Sequence, residues 1–160
     1  MSGSPYAPGD FVWCAFPEYE RPTRPGPRHI GFVLGVSGVS AVTPGLGGAG
    51  VSTATPAYAV MAAYTTSQRW PEEQGVPKGV FPIDAERAAA MGQRRAFTID
   101  ARRIAFVPLI PAWFPDLGQP GAGKVGTAPR SLFQQVMDTA NELVTRHSDV
   151  LERLGPLWPR

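Results

Sequence analysis

At 160 residues with a formal charge of +2, the chain is long enough for one domain with a buried core and too weakly basic for a dedicated nucleic-acid coat protein. Its 18 glycines and 18 prolines follow no period, which excludes collagen and solenoid repeats and points to short strands joined by many loops. The lone Cys14 cannot staple the fold, no run approaches transmembrane length, and the N-terminus lacks a charged-then-apolar signal pattern, so a cytoplasmic protein without membrane contact is expected.

Asp10 to Phe16 (DFVWCAF) is aromatic and β-branched between Pro8-Gly9 and Pro17, which predicts a strand. Residues 17–29 hold four prolines together with Arg21, Arg24 and Arg28 and predict a stiff, charged loop that cannot pair in a sheet. Ile30 to Val36 predicts a central strand, apolar on both faces. Residues 37–57, rich in Gly, Ser, Ala, Thr and Pro, predict an insertion or mobile loop. Tyr58 to Tyr64 predicts a third strand that runs directly into Thr65, Thr66, Ser67 and Gln68. A loop with Pro71, Gly75 and Pro77 then leads to a short strand over Val80 to Ile83.

Asp84 to Met91 predicts a short helix, with Asp84 as its N-cap and Gly92 at its end. Two short strands are predicted over Ala96 to Ile99 and Ile104 to Ile110, and a loop over 111–129. From Ser131 on, Leu132, Val136, Ala140, Leu143, Leu151 and Leu154 recur at helical spacing and predict a long amphipathic helix at about 130–154. Ser148-Asp149 offers a break within it, and Gly155-Pro156 its stop. The sum is a single α+β, mainly β domain over residues 1–160: a small twisted sheet or partly open barrel covered by a helix.

Of the 15 basic residues, 13 are Arg, whose planar fork suits phosphate oxygens better than the point charge of Lys. A GC-rich genome gives the same bias. Two motif look-alikes fail on context. Gly45 to Gly50 fits a dinucleotide fingerprint by letter, but no helix pattern follows it. Gly118 to Lys124 fits a phosphate loop, but Val125 stands where the Mg²⁺-binding hydroxyl belongs. One Cys and two distant His residues give no metal-ligand cluster.

Three segments together resemble the PemK/MazF family of toxin endoribonucleases. Gly9-Asp10-Phe11-Val12-Trp13 is similar to the family's opening strand. Arg28-His29 and the strand after it are similar to its RP-(apolar)-VL segment, and Ala62 to Gln68 to its strand ending in Thr, then Thr/Ser/Gln. A fourth match, Asp100-Ala101-Arg102-Arg103-Ile104, resembles the family's D-Q-(x)-R-(x) segment. The matches are collinear over roughly residues 8–145.

The resemblance implies an SH3-like small barrel with a long C-terminal helix, usually a homodimer. It implies a toxin of a toxin–antitoxin pair, held inactive by its cognate antitoxin, that cuts single-stranded RNA with no metal or other cofactor. It carries the catalytic pair over to Arg28 and Thr65. RNA cleaves itself when a 2′-hydroxyl attacks the adjacent phosphorus, so a guanidinium fork and a hydroxyl donor suit the developing phosphate charge. Arg21, Arg24, His29, Thr66, Ser67, Gln68, Asp100 and Arg103 are the expected RNA contacts.

The sequence departs from the family pattern at His29, where Pro is common, at Thr98, where some members have Arg, and in the long 37–57 segment. An imidazole at 29 suits acid–base work, while a strand-edge histidine is the simpler reading. Asp100 suits orienting Arg103 or meeting a base edge, while an ordinary surface ion pair is the simpler reading. Trp13, Trp70 and Tyr64 suit base stacking, although Trp13 also fits a core. Two other functions sit on the same fold: a non-catalytic binding or regulatory module, and a toxin that poisons gyrase by protein contact. The nuclease needs the Arg28 and Thr65 side chains to converge on one open groove; side chains that point apart favour the binding module.

Overall fold

The computed structural model describes residues 4–39, 57–68, 70 and 75–159. Most of the predicted insertion, residues 40–56, lies outside them.

Seven strands, a 3₁₀ turn and two helices follow in chain order: β1 (Asp10–Ala15), β2 (Arg28–Val39), β3 (Ala57–Thr66), β4 (Val80–Ile83), α1 (Ala85–Ala90), β5 (Phe97–Pro108), the turn Pro120–Gly123, β6 (Lys124–Thr127), α2 (Arg130–Arg146) and β7 (Glu152–Leu154). They form one sheet in the order β4-β5-β3-β2-β1-β6, with β7 pairing β5 in parallel and every other pairing antiparallel. The fold is therefore mainly β with two helices, as expected. Among the described residues no pairing joins the outer strands β4 and β6 to close the sheet.

Strand alternation explains the two cores. In β1, Phe11 faces one side and Val12 and Cys14 the other; in β2, Phe32 and Leu34 alternate with Val33 in the same way. One side packs under α1 and α2, with Phe11, Phe32, Ile99 and Ile104 against Val136, Ala140 and Leu143. The other gathers Val12, Cys14, Val33, Trp113 and Phe114. A strand buried on both sides must be apolar throughout, which is why β2 reads as central.

The short helix matches its sequence signals: the Asp84 carboxylate accepts from the Arg87 backbone N–H at 2.8 Å, and Gly92 follows the helix at φ +85°.

Four expectations change. The predicted strands 96–99 and 104–110 are one strand, β5, whose pairing jumps from Ala63↔Ile104 to Tyr64↔Asp100. Ala101, Arg102 and Arg103 form a bulge there, so the polar stretch that looked like a loop stays inside the strand. The predicted loop 111–129 contains β6, which pairs β1. Arg28 and His29 open β2 rather than end the loop before it.

The helix predicted over 130–154 ends at Arg146, with the His147 N–H donating to Leu143 O at 3.1 Å. Ser148 and Asp149, which favour local hydrogen bonds over helix, follow at once. Leu151 then returns to the helix-side core, and Leu154 reaches the opposite one through β7.

Candidate functional site

A cavity of about 670 Å³ lies on the helix side of the sheet, at the end where β1, β2 and β3 meet the turn after α1. Its walls include Trp13 from β1, His29 and Ile30 from β2, Thr65, Thr66 and Ser67 from the end of β3, and Gln93, Arg94 and Arg95 from the turn. Among the described residues no Asp or Glu lines it. Two exposed guanidiniums, aromatic surface and no opposing carboxylate make it a favourable place for an anion with a planar group attached.

Arg28 stands beside this cavity rather than within its lining. Its guanidinium lies 4.5 Å from the Trp13 ring centroid, and its Nη2 donates to Asp116 Oδ2 at 2.7 Å. The Arg28 side chain is 55% exposed, so this ion pair is a surface one.

Thr65 is buried, and its Oγ1 donates to the Ile30 carbonyl at 2.7 Å. Its hydrogen is thus spent on the backbone of β2, and its own carbonyl meets His29 Nε2. The predicted catalytic pair accordingly borders one cavity, but its two reactive groups do not converge there.

Of the expected RNA contacts, His29, Thr66 and Ser67 line the cavity with Thr65. Gln68 does not; its N–H donates to Thr66 Oγ1 at 3.2 Å and its carbonyl accepts from Thr98 Oγ1 at 3.2 Å. Arg21 and Arg24 are exposed on the proline-rich loop, where the Arg21 backbone N–H donates to Glu18 O at 3.1 Å.

Asp100 does not orient Arg103. It takes the Arg102 fork instead, accepting from Nε and Nη2 at 2.9 Å each, and this pairing raises the Arg102 pKa above its ordinary value. Arg103 lies on the other side of the sheet, 4.0 Å over the Tyr64 ring and 3.1 Å from Glu152. Alternation along the bulged strand separates the neighbouring arginines.

Sequence reasoning missed Arg94, Arg95 and Asp116. The signal for the first two was a pair of arginines directly after the helix-ending Gly92, a short turn bound to present them. Asp116 gave no signal, because its partner lies 88 residues away in the chain.

Cys14 is inert as read: burial pushes its thiol up to about 12, so it stays protonated at neutral pH. Among the described residues no group of three or more His, Cys, Asp or Glu is arranged to hold a metal ion. No helix among them is long and apolar enough to cross a membrane. Compared with known families and curated proteins, the chain matches no family model and no curated protein.

Proposed function

We propose that the chain is an endoribonuclease of the PemK/MazF type on an SH3-like barrel, cutting single-stranded RNA by 2′-hydroxyl attack without a metal. The observation that carries this reading is the cavity in which Thr65, Thr66 and Ser67, at the end of β3 and just after it, meet Trp13, Arg94 and Arg95 with no carboxylate among the described lining, and with Arg28 stacked on Trp13 beside it. Arginines track the RNA backbone, and the half-buried Trp13 offers a stacking face for a base.

In the reaction, the 2′-hydroxyl gives its proton to solvent and O2′ bonds to phosphorus as the P–O5′ bond breaks and O5′ takes a proton from solvent, leaving a 2′,3′-cyclic phosphate and a 5′-hydroxyl. Arg28 holds the non-bridging oxygens, which requires its guanidinium to leave Asp116. An exposed ion pair contributes only about 0–1 kcal/mol, less than the charge-assisted bonds that a phosphate offers the same fork. Thr65 works through Ile30: its hydroxyl fixes β2 against β3 and so positions Arg28. The same reading makes the chain a cytoplasmic toxin, a homodimer whose antitoxin lays an acidic segment over the arginines and blocks RNA.

A non-catalytic RNA-binding module is the second reading, favoured by the engaged Thr65 hydroxyl and the Arg28–Asp116 pair. Incubation of long single-stranded RNA with the protein in EDTA separates the two. Fragments ending in 2′,3′-cyclic phosphate support the nuclease; retarded but intact RNA supports the module.

A further inference from the structure

On the side of the sheet away from the helices lies a second cavity, of about 410 Å³. It is walled by the loop after β1 and by β2, β3, β5 and β7. The volume falls within the roughly 300–1,000 Å³ range of small-ligand sites. Its loop wall is anchored at two points: Gly26 N–H donates to Ala15 O at 3.1 Å, and Gly155 N–H donates to Pro22 O at 2.6 Å.

The lining combines three chemistries. Tyr64 is fixed between the His29 ring, parallel to it at 4.6 Å, and the Arg103 guanidinium at 4.0 Å, so its faces are taken and it holds Arg103 in place. Tyr19, 66% exposed, offers a second aromatic side chain on the loop wall. Carboxylates come from Glu18, Glu20 and Glu152, and the guanidinium from Arg103. Arg103 Nε and Glu152 Oε2 lie 3.1 Å apart, yet both atoms are buried without an aligned hydrogen bond, so the pair does not exhaust either group.

Glu18 and Glu20 are exposed on the loop; at the inner wall Glu152 disfavours a phosphate and Arg103 a cation. A neutral planar ligand with both donors and acceptors remains. Among the RNA bases, guanine alone joins two adjacent donors, N1–H and N2–H₂, with the O6 and N7 acceptors that suit an arginine fork. Adenine and cytosine set a ring acceptor beside the amino group, where a carboxylate repels it. Unstacked bases are read in this way, between aromatic faces and polar side chains.

We propose that this cavity is a guanine-base site, with Glu152 accepting from the donor edge, Arg103 donating to O6 and N7, and Tyr19 stacking on the ring. His29 lines both cavities, so an RNA strand held at the first has a short route to the second. That source rests on the function proposed above; a free guanine nucleotide offers the same base.

The test is calorimetric binding of guanosine, adenosine, cytidine and uridine to the full chain, with folding of each variant checked by thermal melting. Guanosine is expected to bind roughly ten-fold or more tightly than the other three, and Glu152→Gln to reduce that preference to within about two-fold. Equal binding of all four, no binding, or an unchanged preference in folded Glu152→Gln overturns the site. Tyr19→Ala, exposed and safe for folding, is expected to weaken guanosine at least about five-fold, and unchanged binding there overturns it too.

A U-rich oligomer with a single G that binds at least about ten-fold more tightly than guanosine supports the site with RNA as its source. Equal binding of GMP and the oligomer supports it with free nucleotide as the source. Cleavage assays on the same samples keep the two proposals apart: guanosine preference without cleavage removes the nuclease and keeps the site, and cleavage without preference does the reverse.

Discussion

Arg28 and Thr65 differ in what they have left to give. The Arg28 fork is exposed and engaged only by a surface carboxylate, whereas the Thr65 hydroxyl is buried in a bond to Ile30 O. Replacing Thr65 with Val removes that hydrogen bond and is expected to cost about 1 kcal/mol of stability, read as a lower urea midpoint. Loss of RNA cleavage without loss of stability would contradict the positioning role. Asp116→Asn frees Arg28 and is expected to raise RNA affinity a few-fold at low salt, measured by filter binding. Cys14 is expected to resist thiol reagents at pH 8 until the protein unfolds, because burial lifts its thiol to about 12.

The residue types at the first cavity were legible because they are contiguous: Thr65, Thr66 and Ser67 end one strand, and Trp13 lies in the first. Contacts between distant segments were not. Arg28 with Asp116, and Arg103 with Glu152, bring together parts of the chain that no local pattern links. Of the readings of Asp100 the ion pair holds, and its partner is Arg102 because a bulge turned Arg102, not Arg103, toward the carboxylate.

Among the elements, those with punctuation at both ends were read correctly. β4 follows Gly79 and ends at the Asp84 cap, and its bounds match the sequence reading. α2 was overextended because its apolar stripe continues in Leu151 and Leu154, residues that serve the cores from an irregular turn and from β7. Hydrophobic spacing alone does not separate those cases. β6 escaped notice because it is four residues long and contains a glycine.

That glycine holds the cavity wall. A Cβ on Gly126 would stand 1.9 Å from Met91 O, at the end of α1 just before the turn that carries Arg94 and Arg95. Gly126→Ala is expected to destabilise by about 2–3 kcal/mol or push that turn aside, visible as a lower melting temperature. Leu143→Ala, in the buried face of α2, is expected to cost about 2–5 kcal/mol while leaving RNA affinity of the folded protein unchanged.

Taken whole, the molecule divides its polar chemistry between the two sides of one sheet. The helix side carries a cavity with arginines and, among the described residues, no carboxylate; the other side carries glutamates, Arg103 and stacked aromatics. A net charge of only +2 hides this division, and neither sequence order nor composition displays it. The strands do, since alternate residues pass to opposite sides. RNA affinity arising from so few arginines is expected to fall with a shallow salt slope, and Arg94→Ala with Arg95→Ala to flatten that slope further in a filter-binding series.

The most direct test of the nuclease is cleavage of a long single-stranded RNA in EDTA, comparing wild type with Arg28→Ala and identifying the fragment ends. Discrete cuts ending in 2′,3′-cyclic phosphate, slowed about 10²–10³-fold in a folded Arg28→Ala, are the predicted result. Intact RNA with well-folded wild type across varied sequences, or equal cleavage by both proteins, would contradict it.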